Sequence, residues 1–355
     1  MDLLARFAID APIFQAPMAG VSTPEMAAAV SNAGALGALG LGASTAATAR
    51  GMIAAFRARS SRSLHANVFC HAPARADAER EARWIERLRP EFARLNASPP
   101  ASLREIYESF VEDDEMLAML VAERPTVVSF HFGVPPRDRV AALRDAGIAL
   151  MGTATSLAEA RALVDAGVDV VIAQGYEAGG HRGVFDPGAH DDRLGMLALV
   201  RVLVKAIDRP VVAAGGIMDG AGVAAALALG ASAAQLGTAF VACDESLADA
   251  GYRAALRSDA AYHTVMTRAI SGRPARTLAN RFSALGEGVD ARDVPDYPIA
   301  YDAGKALHAA GKASAEHGFG AHWAGQGAPL ARAMPAAELV ALLRREIQRH
   351  SKTFA

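Results

Sequence analysis

Residues Pro210 to Phe240 read PVVAAGGIMDGAGVAAALALGASAAQLGTAF, two short apolar runs around a glycine pair and a stretch of small residues. Each run is too short for a solitary helix and is bounded by breakers. The pattern predicts two strands buried on both faces, as in parallel sheets, joined by a helix of alanine and leucine. Gly215, Gly216 and Gly237 fall where these strands end. Glycine at such points lets the backbone come close to a bound group, and the N–H groups of a following helix start can hold an anion.

Outward from this unit, short apolar runs and helical segments keep alternating. Runs at Ile13 to Met18, Leu36 to Leu41, Leu64 to Phe69, Val127 to Phe132, Ile148 to Gly152 and Asp169 to Gln174 bring the predicted strands to eight. Thr23-Pro24 offers an N-cap and a first-turn proline after the first run, and Thr155 to Ala166 reads as helix after the fifth. Eight strands alternating with helices predict an α/β fold, a (β/α)8 TIM barrel. An open doubly wound sheet has the same pattern, because periodicity does not show closure. In such barrels a phosphate recurrently sits at the loops after strands seven and eight, here Gly215-Gly216 and Gly237.

Two segments are too long for simple crossovers. Residues 70–125 predict charged helices on either side of Ser98-Pro99-Pro100, the second carrying Tyr107. Residues 241–335 mix helix with Gly- and Pro-punctuated chain and predict a small, mostly helical lid over the site. Residues 336–355 predict a C-terminal helix packing back on the barrel, which itself spans 1–240 with the insertion at 70–125.

Composition narrows the partners. Of 355 residues, 52% are hydrophobic and 21% charged, enough for a large core. A net charge of −2 suggests no nucleic acid partner. Cys70 and Cys243 are far apart and form no ligand spacing, so neither a disulfide nor a metal is expected. No apolar stretch is long enough for a membrane span and no leader pattern opens the chain; a cytoplasmic enzyme is expected, with a homodimer left open.

Gln15, Asn67, His131, Gln174 and Gln235 each lie in or just after an apolar run, where an amide or imidazole is costly to bury alone. Five such groups at one barrel mouth point to a planar polar ligand. A flavin ring fits, with its phosphate at the glycines. After the sixth run comes Gly175-Tyr176-Glu177-Ala178-Gly179-Gly180-His181-Arg182-Gly183, where paired glycines would let the backbone hug a ligand and hold His181 over it. An imidazole there suits proton transfer or anion contact, as does His131.

At these residues the chain resembles the nitronate monooxygenase family, FMN enzymes formerly called 2-nitropropane dioxygenases, and within it the bacterial class I type. The matching stretches are Gln15 to Gly20 with Thr23-Pro24, Asn67 to Phe69, Val128 to Pro135, Gln174 to Gly183, Ala213 to Ile217, Gln235 to Thr238, Tyr297 to Lys305 and His322 to Gln326. VSFHFG and YDAGK discriminate best, since AGGI occurs in other FMN barrels. The resemblance implies that Asn67, Gln174, Gly179, Gly216, Gln235, Leu236, Gly237 and Thr238 hold FMN, and the same wall takes in Ala19, Gly20, Gly180 and Gly215. It implies that Tyr107, His131, His181, Tyr297, Tyr301 and Lys305 surround the substrate, with His181 and His131 as the catalytic candidates.

The implied reaction is oxidative denitrification of a small anionic nitronate, propionate 3-nitronate foremost, by O2 through a flavin semiquinone. It yields a carbonyl compound and nitrite or nitrate, a detoxifying role. Lys305 and a protonated His181 would neutralise the nitronate oxygens. Two other readings stay open: an NAD(P)H-dependent quinone or enoyl-acyl-carrier-protein reductase on the same barrel, and an FMN-binding protein without turnover.

Overall fold

The structure, a computed structural model, describes residues 2–351. Strands β1 (Ile13–Gln15), β2 (Gly37–Gly40), β3 (Leu64–Phe69), β4 (Val127–His131), β5 (Ala149–Ala154), β6 (Val170–Gln174), β7 (Gly180–His181), β8 (Val211–Ala214) and β9 (Ala233–Leu236) follow in chain order. All but β7 form one 8-stranded sheet in the order β1-β9-β8-β6-β5-β4-β3-β2. Every neighbouring pair in it is parallel. The two ends meet: Gln15 N–H donates to Leu36 O at 2.9 Å, and Leu36 N–H donates to Ile13 O at 3.0 Å. That junction closes the barrel and removes the open-sheet alternative.

The strands are apolar on both faces because both are covered. Val127, Met151, Val170, Ile172 and Val212 point into the barrel with Phe14, while Val128, Leu150, Val171 and Ala173 alternate outward against the helices. Such strands read as continuous apolar runs, which is why they stood out in sequence. Leu3, Phe7 and Ile9 join the inner layer and fill the end of the barrel away from the carboxyl ends of the strands. The C-terminal helix Ala336–Ser351 inserts Leu339, Val340, Leu343 and Ile347 into the outer core, beside helices Pro24–Asn32 and Gly220–Ala228.

One helical expectation fails. Tyr107 lies in irregular chain, because the helix expected to carry it begins at Asp114, where the Asp113 carboxylate caps it by accepting from Met116 N–H. A second helix of the insertion, Ala78–Arg94, packs Trp84, Leu88 and Phe92 against the late helix Ile299–Ala313. The late segment also contains strands, β10 (Thr264–Thr267) and β11 (Ala275–Leu278), in a 3-stranded antiparallel sheet ordered β10-β11-β7. Among the described residues no helix is long and apolar enough to cross a membrane.

Candidate active site

A cavity of about 490 Å³ opens at the carboxyl ends of the barrel strands. Its volume lies in the range of small-molecule and cofactor sites. One wall is backbone and amide. Gly215 and Gly216 continue from β8 with φ of 121° and 69°, a region open to glycine and strained for other residues. Gly237 ends β9 and starts the turn Thr238–Val241, which has no side-chain cap. Gln235 Oε1 is buried and has no partner in the protein, an acceptor awaiting a donor. Asn67 gives its Nδ2 to Ser129 O at 3.2 Å and Ser129 Oγ at 2.8 Å, which leaves its carbonyl oxygen on the cavity side.

Gln174 has a structural task beside the cofactor contact expected of it. Its Nε2 donates to His181 O at 3.0 Å and its Oε1 accepts from Gly183 N–H at 2.7 Å, so it holds the histidine segment in place while still lining the cavity. Gln15 does not reach the cavity at all. It is fully buried between Ala38 and Ser22, bonding Ala38 O at 3.1 Å and Ser22 Oγ at 2.9 Å. Leu236 is packed in the outer core and could offer a ligand only its main chain. Ala19, Gly20, Gly179, Gly180 and Thr238 do line the cavity.

The opposite wall is aromatic. His131, His181, Tyr107, Tyr297 and Tyr301 converge there, with Lys305 at the rim. Tyr301 and Lys305 share a face of helix Ile299–Ala313, four residues apart, as their spacing suggested. The Lys305 ammonium lies 4.7 Å from the Tyr107 ring centre and 5.6 Å from that of Tyr301. Burial lowers its pKa. His181 rests 5.4 Å from Tyr297 and 5.2 Å from Trp323, ring centre to ring centre, and its Nε2 meets Ser271 Oγ at 2.8 Å. Burial pushes His181 down to about 3 and His131 to about 4, helped by nearby Arg273. Burial thus favours a neutral His181 imidazole at neutral pH, against the protonated ring expected from sequence, and Lys305 is the cation among the lining residues.

Comparison with known proteins agrees with this geometry. The family profile described as nitronate monooxygenase matches residues 2–346. The chain belongs to the nitronate monooxygenase family. A nitronate monooxygenase of Paraburkholderia phytofirmans is 60% identical over 98% of this chain and 94% of its own length. One of Pseudomonas aeruginosa is 53% identical over 96% and 97%. Among solved structures, a nitroalkane oxidase from Streptomyces ansochromogenes superposes with a TM-score of 0.90 at 41% identity, over 100% of both chains. FabK from Thermotoga maritima gives 0.74 at 27% identity, over 99% of this chain and 97% of its own.

Membership makes this chain an oxidoreductase of a flavin-dependent family. The residues present fit a flavin: one wall offers glycine backbone and an unsatisfied amide acceptor, the other aromatic rings. Sequence reasoning missed several members of the nitronate monooxygenase cavity and its surround. Trp323 and Tyr252 line it, with the Tyr252 hydroxyl donating to Trp323 O; Ser271 holds His181; Phe132 and Arg273 stand behind both histidines. Trp323 was within reach, since it lies in a stretch already matched to the family.

Burial of histidines also sets an acid limit on this family member. His65 and His181 are lowered to about 3, and His71, His131 and His322 to about 4, each chiefly by burial. A depressed folded-state pKa leaves stability complete above the unfolded value near 6.5 and removes it as pH falls toward the folded one. By pH 5 the summed loss is on the order of several kcal/mol. The melting temperature should drop by roughly 10 °C between pH 7.5 and pH 5. A melting temperature that stays level across that range would mean these imidazoles are solvated.

Proposed function

We propose that the chain is an FMN enzyme that oxidises small alkyl nitronates with O2, propionate 3-nitronate among them, in the cytoplasm, releasing a carbonyl compound and nitrite or nitrate. The observation carrying this reading is the meeting of Lys305, the one lysine or arginine among the described lining residues, with two histidines held toward neutrality by burial and three tyrosines in a cavity that glycines also line. A nitronate is already deprotonated, so the site needs no strong base. It needs to collect an anion, orient it and keep water away.

Lys305 would draw in the anion at the rim. Neutral His181 would place one ring nitrogen against it, since the other is engaged with Ser271. Tyr107 and Tyr297, raised by burial, stay protonated and can only donate to the anion's oxygens. Gly215, Gly216, Gly237, Asn67 and Gln235 would hold FMN, which when bound supplies the electron acceptor and the route to O2. Residues 241–335 would act as the substrate lid.

Two measurements test this. Mass spectrometry of the heat-released cofactor should find FMN; FAD would overturn that choice. An oxygen electrode should record sustained O2 uptake with propionate 3-nitronate. The similarity to FabK motivates a second reading, a pyridine-nucleotide-dependent reductase. Anaerobic mixing separates them, because rapid bleaching by NAD(P)H with none by nitronate would favour the reductase.

Lys305→Met should lower kcat/KM for propionate 3-nitronate by about 1.5–3 kcal/mol, the scale of a charge-assisted hydrogen bond. The loss should shrink with an alkyl nitronate lacking the carboxylate if the carboxylate is the partner of Lys305, and persist if the nitro group is. Equal kcat/KM for wild type and variant on both substrates would return Lys305 to the surface.

A further inference from the structure

Arg273 is only 4% exposed and sits in the loop before β11. Its NH2 group donates to Val184 O and, at 3.4 Å, to Phe185 O, and its Nε has no partner in the protein. The acids that act on it through space, Asp186 and Glu159, hold other groups by hydrogen bonds. Glu159 accepts from Thr155 N–H and Phe185 N–H, and Asp186 accepts from Gly188 N–H. Among the described residues neither makes an ion pair with Arg273. A buried charge without a paired carboxylate is costly, and such a group tends to persist at working sites.

What Arg273 faces explains its place. Its Cζ lies 4.3 Å from the Phe132 ring centre. That ring also contacts His131 at 4.4 Å, Phe69 at 5.2 Å, Tyr297 at 5.4 Å, His181 at 5.5 Å edge-on and His71 at 6.3 Å. Phe132 has a φ of 75°, a region that bulky residues enter only under constraint. Two residues before Arg273, Ser271 bonds the His181 ring. We propose that Arg273 is a positioning residue for His181: a buried cation without an ion pair, one aromatic ring behind the imidazole, which also ties down the chain that follows it. The proposal rests on the reading that neutral His181 acts on the substrate.

The groups around His181 that carry or can carry charge are His131, His71, Arg273, Tyr297 and Tyr301, with Lys305 at the cavity rim. Arg182 also acts on His131. Burial is the main reason both imidazoles stay neutral, and the Arg273 charge adds to it. A fixed cation opposes a second one, so removing it lets the imidazoles take up protons at higher pH.

The test compares Arg273→Gln, which removes the charge and keeps a planar donor, with Arg273→Lys, which keeps the charge. In the holoenzyme the acid limb of kcat/KM for propionate 3-nitronate should move up by about one pH unit in the Gln variant and return toward wild type in the Lys variant. Histidine ring NMR titrations, with His181 assigned by its loss in His181→Asn, should move the same way without any turnover. They therefore still read the proposal if the wild type leaves nitronates untouched. An unmoved His181 titration in folded Arg273→Gln overturns it. So does a Lys variant that shifts as far as Gln, and so does failure of both variants to fold.

Discussion

His181→Asn is expected to lower kcat/KM for a nitronate by about 10²–10³-fold while the protein keeps its FMN. The separation follows from how the residue is held. Its ring lies among Tyr297, Trp323 and Phe132 and bonds Ser271, all on the aromatic wall. Its main-chain oxygen accepts from Gln174 and lies 3.2 Å from the His131 ring nitrogen, contacts that asparagine retains. Gly215, Gly216, Gly237 and Gln235, which would grip the cofactor, lie on other strands, β8 and β9 and the turns after them. Rates and the flavin absorbance ratio on the same sample decide it. Joint loss of flavin and activity would recast His181 as a structural residue.

Gly237→Val should raise the dissociation constant for FMN by about 100-fold, close to 3 kcal/mol, and yield largely colourless protein. The substitution is clean because the protein itself has room for the first added carbon. A Cβ at Gly237 would meet Ala16 Cβ at 3.4 Å and Met18 Sδ at 3.8 Å, ordinary contact distances, and φ there is −105°. Gly179 offers no such test, since a Cβ would come within 2.4 Å of Gly325 N. Loss of FMN in a Gly237→Val protein with native melting would therefore report on the ligand. Calorimetric titration showing wild-type affinity would put the phosphate elsewhere.

The barrel was legible because its strands are buried on both faces and most are broken by glycine or proline near their ends, signals that survive without tertiary information. The pairing of Tyr301 with Lys305 was legible for the same local reason, a four-residue step on one helix. Charge states were not. His181 looked like a cation in sequence, whereas the burial around it, with His131 and Arg273 nearby, lowers its pKa, and that burial is a tertiary property. Tyr107 followed a charged, helix-like composition, yet the cap at Asp113 delays the helix. Gln174 and Gln15 look alike as amides at strand ends. Their different jobs depend on partners such as His181, Gly183 and Ser22, which fixed spacing cannot reveal.

Strand β7 couples His181 mechanically to the late segment. Gly180 and His181 pair with Arg276 and Ala275 of the late segment, so the histidine is stitched by main-chain bonds to the segment that gives the cavity Tyr297, Tyr301 and Trp323. That segment is no flap swinging free of a fixed catalytic floor. Any excursion that lifts β11 must either drag the imidazole with it or break the ladder. On the proposal that this segment is the substrate lid, admission of substrate and alignment of the histidine are one event, and amide hydrogen exchange at His181 and Ala275 should speed up or slow down together.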